Sequence, residues 1–107
     1  MNLHPAIRTY FEAEKRNDGR SVIRTFASGA IVTDEGLTHA GRRAIDAWRH
    51  RTKSRYQHTM EPVDMVADGD VVQVRTRVAG QFPGSPAKFT YAFRLRKGRI
   101  VDLEIRG

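Results

Sequence analysis

The second half of the chain alternates between apolar and polar side chains, and this alternation constrains the fold more than any other feature. Successive side chains of a β-strand point to opposite faces, so a period of two predicts strands with one buried face. Such strands are predicted at His58 to Ala67, Val71 to Ala79, Ala87 to Arg96 and from Val101 onward. Turn residues separate them, and Asp68 to Asp70 predicts a hairpin, so the stretch predicts an antiparallel meander.

The last three predicted strands each carry one apolar face that other parts of the molecule must cover. The residues on these faces are Val72, Val74, Val78, Phe89, Tyr91, Phe93, Leu95, Val101, Leu103 and Ile105. Residues 80–86, GQFPGSP, are rich in Gly and Pro and predict a loop between two of the strands. The covering elements are either the helices of the first half or a second copy of the chain.

The first half reads as three helices and one short strand. Apolar residues at helical spacing predict a helix from Pro5 to Arg16, and Asp18 can cap a second one from Arg20 to Phe26. A third helix is predicted from Gly41 to Tyr56. The run from Ala30 to Thr33 predicts a strand that closes on Asp34, followed by a turn.

Helices followed by a meander indicate the α+β class, with the helices packed on a curved antiparallel sheet. The chain has 107 residues, which is the size of one compact domain. The sequence contains no internal repeat, low-complexity tract or linker that would divide it. A single domain over residues 1–107 is therefore predicted.

Composition excludes several kinds of protein and site. There is no cysteine, so disulfides, thiol nucleophiles and thiolate metal sites are excluded. The four histidines lack metal-ligand spacing, and no hydrolase elbow, phosphate loop or dinucleotide fingerprint occurs. No apolar run approaches the roughly 18 residues of a membrane span, and the N-terminus lacks the order of a signal peptide. A soluble cytoplasmic protein without metal or cofactor is the expectation.

A formal charge of +7 raises the question of nucleic acid. The strongest segment for it is GRRAIDAWRHRTKSRYQH, residues 41–58, in which basic residues crowd the third predicted helix. They are expected to surround that helix rather than form one stripe, and its apolar face is needed for the core. Association with nucleic acid is therefore the least favoured interpretation.

Two segments carry a resemblance to a known family. RTFASGAIVTDEGLTHAGRRAIDAW, residues 24–48, and FRLRKGRIVDLEI, residues 93–105, resemble the nuclear transport factor 2-like superfamily, in its SnoaL-like and ketosteroid-isomerase-like branches. The resemblance covers nearly the whole chain. It implies a cystatin-like cone in which the sheet curls around the helices, with a small-molecule pocket at the open end. It also implies a homodimer packed through the sheet.

The resemblance implies three catalytic residues. Tyr10 matches the helix-1 tyrosine that donates a hydrogen bond to the substrate oxygen, and Asp34 matches the aspartate that moves the proton. Tyr91 stands where the steroid isomerase branch has a protonated Asp, so a different substrate is implied. Four further residues, Trp48, Phe89, Phe93 and His39, are predicted to bind the substrate.

Each of these assignments has a structural alternative. Asp before Glu-Gly is a common turn former, so Asp34 either lines a pocket or only turns the chain. For Tyr10 and Tyr91 the residues alone favour the alternative, namely core side chains whose hydroxyls are satisfied. His39 lies either at the pocket rim or in a solvated loop.

Two functions remain besides nucleic-acid association. The first is a cofactor-free isomerase or cyclase that acts on a small hydrophobic carbonyl compound by acid–base catalysis. The second is a non-catalytic module, in which the same fold only binds a ligand or only dimerises.

Overall fold

The computed structural model describes all 107 residues and contains three helices and six strands. The helices are α1 (Pro5–Lys15), α2 (Gly19–Arg24) and α3 (Arg42–Tyr56). The strands are β1 (Phe26–Asp34), β2 (Leu37–Ala40), β3 (Thr59–Asp68), β4 (Val71–Ala79), β5 (Ala87–Arg96) and β6 (Arg99–Arg106). None of the helices is long and apolar enough to cross a membrane.

The strands form one sheet in the order β2-β1-β6-β5-β4-β3. The meander predicted from the alternation is present, since β3, β4, β5 and β6 pair as successive antiparallel neighbours. The sheet is nevertheless mixed rather than wholly antiparallel, because β1 lies parallel to β6. The partner of β1 comes from the far end of the chain, and no local pattern reports the direction of such a pairing.

The helix boundaries follow the local signals closely. Asp18 caps α2, where its carboxylate accepts a hydrogen bond from the Ser21 backbone N–H at 3.2 Å. Pro5 occupies the first turn of α1, where its missing N–H is no loss. α3 ends at Gln57 in the left-handed conformation, with φ of 48°.

The region between α2 and α3 differs from the prediction. Phe26, expected at the end of the second helix, opens β1, and residues 37–40 form the additional strand β2. β2 pairs with β1 through a tight hairpin in which Asp34 faces Leu37 and Ile31 faces Ala40. A four-residue strand with exposed side chains has no periodicity to recognise, so only its pairing reveals it.

The core lies between the helices and the concave face of the sheet. Its fully buried large side chains are Tyr10, Phe26, Phe93, Ile7, Ile45, Ile100 and Leu103. Ile100 is buried instead of the expected Val101, because β6 pairs Asp102 with Arg94 but Ile100 with Leu95. The extra residue is a β-bulge, which reverses the faces of the strand N-terminal to it.

Three arginines of the outer face are paired with carboxylates within the chain. Arg75 pairs with Asp64, and Arg94 Nε lies 3.3 Å from a carboxylate oxygen of Asp70. Arg106 donates to Glu104 at 2.8 Å. Arg77 and Arg96 of the same face have no ion-pair partner in the chain, so a partner sheet packed here would have to supply carboxylates for them.

Candidate functional site

A cavity of about 320 Å³ lies between α1, α3 and the concave face of the sheet. Half of its eighteen lining residues are hydrophobic. Six of the eighteen are Phe, Tyr or Trp, namely Tyr10, Trp48, Tyr56, Phe82, Phe89 and Tyr91. The volume is near the lower end of the range for small-molecule pockets, which suits a ligand of one or two rings.

The strand register places Asp34 and Tyr91 in one row of the sheet that forms a wall of this cavity. Asp34 pairs with Ile105 of β6, and Ile105 pairs with Tyr91 of β5. The three residues therefore form one row across the sheet, with Asp34 and Tyr91 two strand spacings, or about 10 Å, apart at the backbone. All three line the cavity.

Asp34 lies at the end of a strand, directly before a turn, and it also lines the cavity. It ends β1, but Glu35 and Gly36 make the turn, with positive φ of 52° and 75°. Its carboxylate lines the cavity and accepts a hydrogen bond from Trp48 Nε1 at 3.0 Å. Burial raises the pKa of Asp34 above its ordinary value, and the bond from Trp48 partly opposes that rise.

Tyr10 is one of the residues that line the cavity, and its hydroxyl has no hydrogen-bond partner. The residue is fully buried, and no protein atom hydrogen-bonds its Oη. Burial first, then the nearby Glu14 carboxylate, raises the pKa of Tyr10 well above its ordinary value. Tyr91 is also buried, and its pKa is raised by burial and by Asp34. Both phenols therefore stay protonated and able to donate.

The four predicted substrate-binding residues divide into two pairs. Trp48 and Phe89 line the cavity. Phe93 does not: it is fully buried in the core, with its ring centroid 5.5 Å from that of Tyr10. His39 belongs to β2 rather than to a loop and stacks against Trp48 with ring centroids 6.0 Å apart. It supports the wall without lining it.

Sequence reasoning missed a buried ion pair. Arg49 of α3 donates to Glu14 of α1 through Nε at 3.1 Å, and its Nη2 lies 3.0 Å from the same carboxylate oxygen. Both residues are 5% exposed. Asn17 accepts a further bond from Arg49 at 3.0 Å. The available signal was Glu14, a carboxylate on the apolar stripe of α1, one turn after Tyr10.

His58 is the second residue that the sequence did not single out. It precedes β3 and lines the cavity, and its Nδ1 is buried without a hydrogen-bond partner. Burial, and then the positive charges of Lys53 and Arg49, lower the pKa of His58 to about 4. Gly80 packs against it so closely that a Cβ there would lie 2.8 Å from the His58 Cβ.

The mouth of the cavity is built by the β4–β5 loop and the end of α3. Phe82 of the loop packs edge-on against Tyr56 and Phe89, at centroid distances of 6.1 Å and 6.2 Å. The Gln81 N–H donates to the Tyr56 carbonyl at 2.7 Å. The Tyr56 hydroxyl donates to Glu35 at 2.8 Å, which links α3 to the β1–β2 turn.

A second, wider depression of about 870 Å³ lies on the other side of α3, against α2. We call it the basic groove; its cationic residues are Arg20, Arg24, Arg42, Arg43, Arg49 and Lys53. Ile23 is its one hydrophobic lining residue. The basic residues of α3 thus gather more on one side than expected. No group of three or more His, Asp or Glu residues is arranged to hold a metal ion.

Comparison with known proteins gives one family match. The model of the family described as SnoaL-like domain matches residues 7–103. No curated protein sequence matches the chain. A crystal structure of a candidate polyketide cyclase from Sinorhizobium meliloti is 41% identical, with a TM-score of 0.95 over 97% of this chain and 95% of that chain.

Two more distant structures share the fold. One is a hypothetical protein with a ketosteroid isomerase-like fold from Catenulispora acidiphila, in complex with trimethylamine. It is 18% identical, with a TM-score of 0.84 over 99% of this chain and 87% of that chain. The other is TerC, co-crystallised with polyporic acid. It is 17% identical, with a TM-score of 0.80 over 94% of this chain and 86% of that chain.

Proposed function

The chain belongs to the SnoaL-like domain family, and from this premise we propose that its cavity binds a small hydrophobic carbonyl compound and isomerises or cyclises it. The resemblance read from the sequence is confirmed at the level of family and fold. The family match and the candidate polyketide cyclase fit a small-molecule isomerase or cyclase, or a ligand-binding protein.

The observation that carries the proposal is the unpaired Tyr10 hydroxyl in a cavity that also holds Asp34. A buried hydroxyl without a partner costs stability, on the order of 1–3 kcal/mol. A ligand oxygen placed against Tyr10 would remove that cost. The same ligand would meet a carboxylate whose raised pKa suits a general base.

In the proposed reaction Asp34 acts as the carboxylate and removes a proton from the carbon next to the ligand carbonyl. The electron pair moves onto the carbonyl oxygen, and hydrogen bonds from Tyr10 and Tyr91 stabilise the resulting enolate. Where a carbon–carbon double bond of the ligand lies next to the enolate, return of the proton to its far carbon would shift that double bond and isomerise the ligand. Attack of the enolate carbon on a second carbonyl would close a ring, with the proton from Asp34 delivered to the new alkoxide.

The ligands of the two distant structures agree with a small-molecule role. One holds trimethylamine and the other polyporic acid, and both ligands belong to those proteins. Their sequence identity to this chain is 18% and 17%, so they support the fold and not a shared substrate.

A non-catalytic binding protein is the second candidate. The Trp48 indole already donates to the Asp34 carboxylate, and such a bond weakens a base. The aromatic wall could hold a flat ligand without any proton transfer. In that case Asp34 would serve only to orient Trp48.

Deuterium exchange distinguishes the two candidates. Acetophenone in D₂O loses its methyl proton signals when a base abstracts them, and proton NMR follows the loss. We expect the protein to accelerate exchange, Asp34→Asn to lose roughly 10²–10⁴-fold and Tyr10→Phe roughly 10²-fold. Because the pKa of Asp34 is raised, the rate should increase as pH rises through a value above the ordinary one and then level off. Binding without any acceleration would favour the non-catalytic candidate.

The homodimer and the cytoplasmic location stay proposals. Arg75, Arg94 and Arg106 already have carboxylate partners, which lowers the cost of covering the outer face in a dimer. Arg77 and Arg96 would need carboxylates from the partner sheet. Light scattering measures the mass directly: a value near the 12.2 kDa of one chain would contradict the dimer.

A further inference from the structure

We propose that the ligand of this cavity carries an acidic group in addition to its carbonyl, and that Lys53 and His58 bind that group. The inference rests on the proposed function, because it concerns the same cavity. It assigns a task to two lining residues that the proton transfer does not use. It also narrows the substrate class from carbonyl compounds to carbonyl acids.

The first support is the hydrogen-bonding state of His58. Its ring lines the cavity, and its buried Nδ1 has no protein partner, as with Tyr10 Oη. These two are the buried side-chain polar atoms without a partner in the whole chain. A ligand that satisfied only Tyr10 would leave the other atom unpaired. A ligand with a second polar group would satisfy both.

The second support is the charge beside His58. Lys53 Nζ donates to the His58 carbonyl at 2.8 Å, which holds the ammonium group at this end of the cavity. An ammonium has three donors, so two of them are left for a ligand. Arg49 also lines the cavity, but Glu14 and Asn17 already occupy its guanidinium. Arg55 lines the cavity too, but it is exposed and its guanidinium lies 5.0 Å from the centroid of the Tyr56 ring. Lys53 is therefore the half-buried cation that can pair with an incoming carboxylate.

The third support is the distance between Asp34 and the end of the cavity at which Lys53 and His58 lie. The Asp34 carboxylate would repel an anionic group placed next to it. Trp48, which binds Asp34, and Lys53 are five residues apart on α3, or about 7.5 Å along the helix axis. A single aromatic ring can fill that interval. The carbonyl would then lie by Tyr10 and Asp34, and the acidic group by Lys53 and His58.

The low pKa of His58 agrees with this assignment. Its second and third causes are the charges of Lys53 and Arg49, so the surroundings favour an anion over another cation. Near neutral pH the ring is uncharged. It can donate one hydrogen bond to a carboxylate without first losing a proton.

The test compares two probes of the same shape, 4-acetylbenzoate and 4-acetylbenzamide. Trp48 is the one tryptophan of the chain and lines the cavity, so its fluorescence reports binding there and not in the basic groove. At pH 7 we expect the acid to bind at least about 10-fold more tightly than the amide, as a charge-assisted hydrogen bond predicts. The amide also corrects for ultraviolet absorption by the probe.

Variants then locate the preference. Lys53→Met keeps the methylene stem and should remove most of the difference between acid and amide, and His58→Gln should reduce it. Arg51→Met is the matched control. Arg51 is exposed on the same helix, does not line the cavity and carries the same charge, so its loss should leave the preference unchanged.

The outcomes separate the inference from the proposed function. Equal binding of the two probes to the unmodified protein would overturn the acidic ligand and leave the carbonyl site intact. A preference that survives in Lys53→Met would overturn the assigned residues. If neither probe changes Trp48 fluorescence, both the inference and the proposed small-molecule site are contradicted.

Discussion

The cavity and the basic groove, which lie on either side of α3, differ in whether their polar groups have hydrogen-bond partners. The basic groove is larger, at about 870 Å³, but it is open, and its residues Arg20, Arg24 and Arg43 are exposed. The cavity is smaller, at about 320 Å³, and contains two buried polar atoms that nothing in the protein satisfies. Volume alone would select the groove, whereas unsatisfied hydrogen bonds select the cavity.

A cluster of charged residues therefore indicates a site only when the charges are shielded from water. Exposed arginines are satisfied by water, and removing one changes little. A hydroxyl or imidazole nitrogen inside an apolar cavity has no water to replace a missing partner. The Glu14–Arg49 pair lies at the boundary between the two regions, since Arg49 lines both.

The largest expected effect on the free energy of unfolding comes from removing one partner of the Glu14–Arg49 pair. Arg49→Met would leave the Glu14 carboxylate buried without its cation, which costs about 3–5 kcal/mol in comparable cases. Urea unfolding should show a loss of that size. The double variant Glu14→Gln with Arg49→Met should lose less, because no unpaired charge remains. Equal losses in both variants would show that packing, and not the charge pair, stabilises this region.

A smaller effect concerns the acid limb of stability. The folded-state pKa of His58, about 4, is below the unfolded value of 6.5, so protonation favours the unfolded chain. Stability should therefore fall as pH decreases from about 6.5 to 4, by roughly 1–2 kcal/mol once partial exposure of the ring is discounted. Unfolding titrations of the unmodified protein against His58→Gln measure the difference.

The control for this titration is His50→Gln. His50 is exposed on α3, beside Asp46, and lines the basic groove instead of the cavity. Its replacement should leave the acid limb close to that of the unmodified protein. If His58→Gln loses stability on acidification as steeply as the unmodified protein, the described burial of the imidazole is wrong.

The smallest effect is expected in the basic groove. Arg20→Gln together with Arg24→Gln should change the free energy of unfolding by no more than about 0.5 kcal/mol, because both side chains are exposed. Binding of 4-acetylbenzoate, read from Trp48, should also stay the same. A clear loss of binding would mean that the groove is part of the ligand site and not separate from the cavity.

Local patterns predicted most of the fold. The period of two located β3 to β6, Asp18 marked the start of α2, and helical spacing placed Tyr10 on a buried stripe. The exceptions are β2, the parallel pairing of β1 with β6 and the burial of Ile100. Each of these depends on how one strand pairs with another, which the pattern within a single strand does not encode.

The site was predictable in part, through the resemblance. Asp34, Tyr10 and Tyr91 were expected in one pocket, and they line one cavity together with Trp48 and Phe89. Their catalytic roles stay predictions. Phe93 shares the alternation of Tyr91 but lies in the core, because the face of a strand does not reveal which of its residues borders empty space.

Local sequence specified the apolar faces of most strands, the bounds of α1 and α3, and the carboxylate at the end of β1. Those properties follow from side-chain spacing and caps, which act within a few residues. The hydrogen bonds of Glu14 with Arg49 and of Asp34 with Trp48 arise only in the folded chain. The same holds for the cavity that Tyr10 and His58 line, each with a buried atom that has no hydrogen-bond partner. Such contacts depend on the curvature and register of the sheet, which many distant pairings set together.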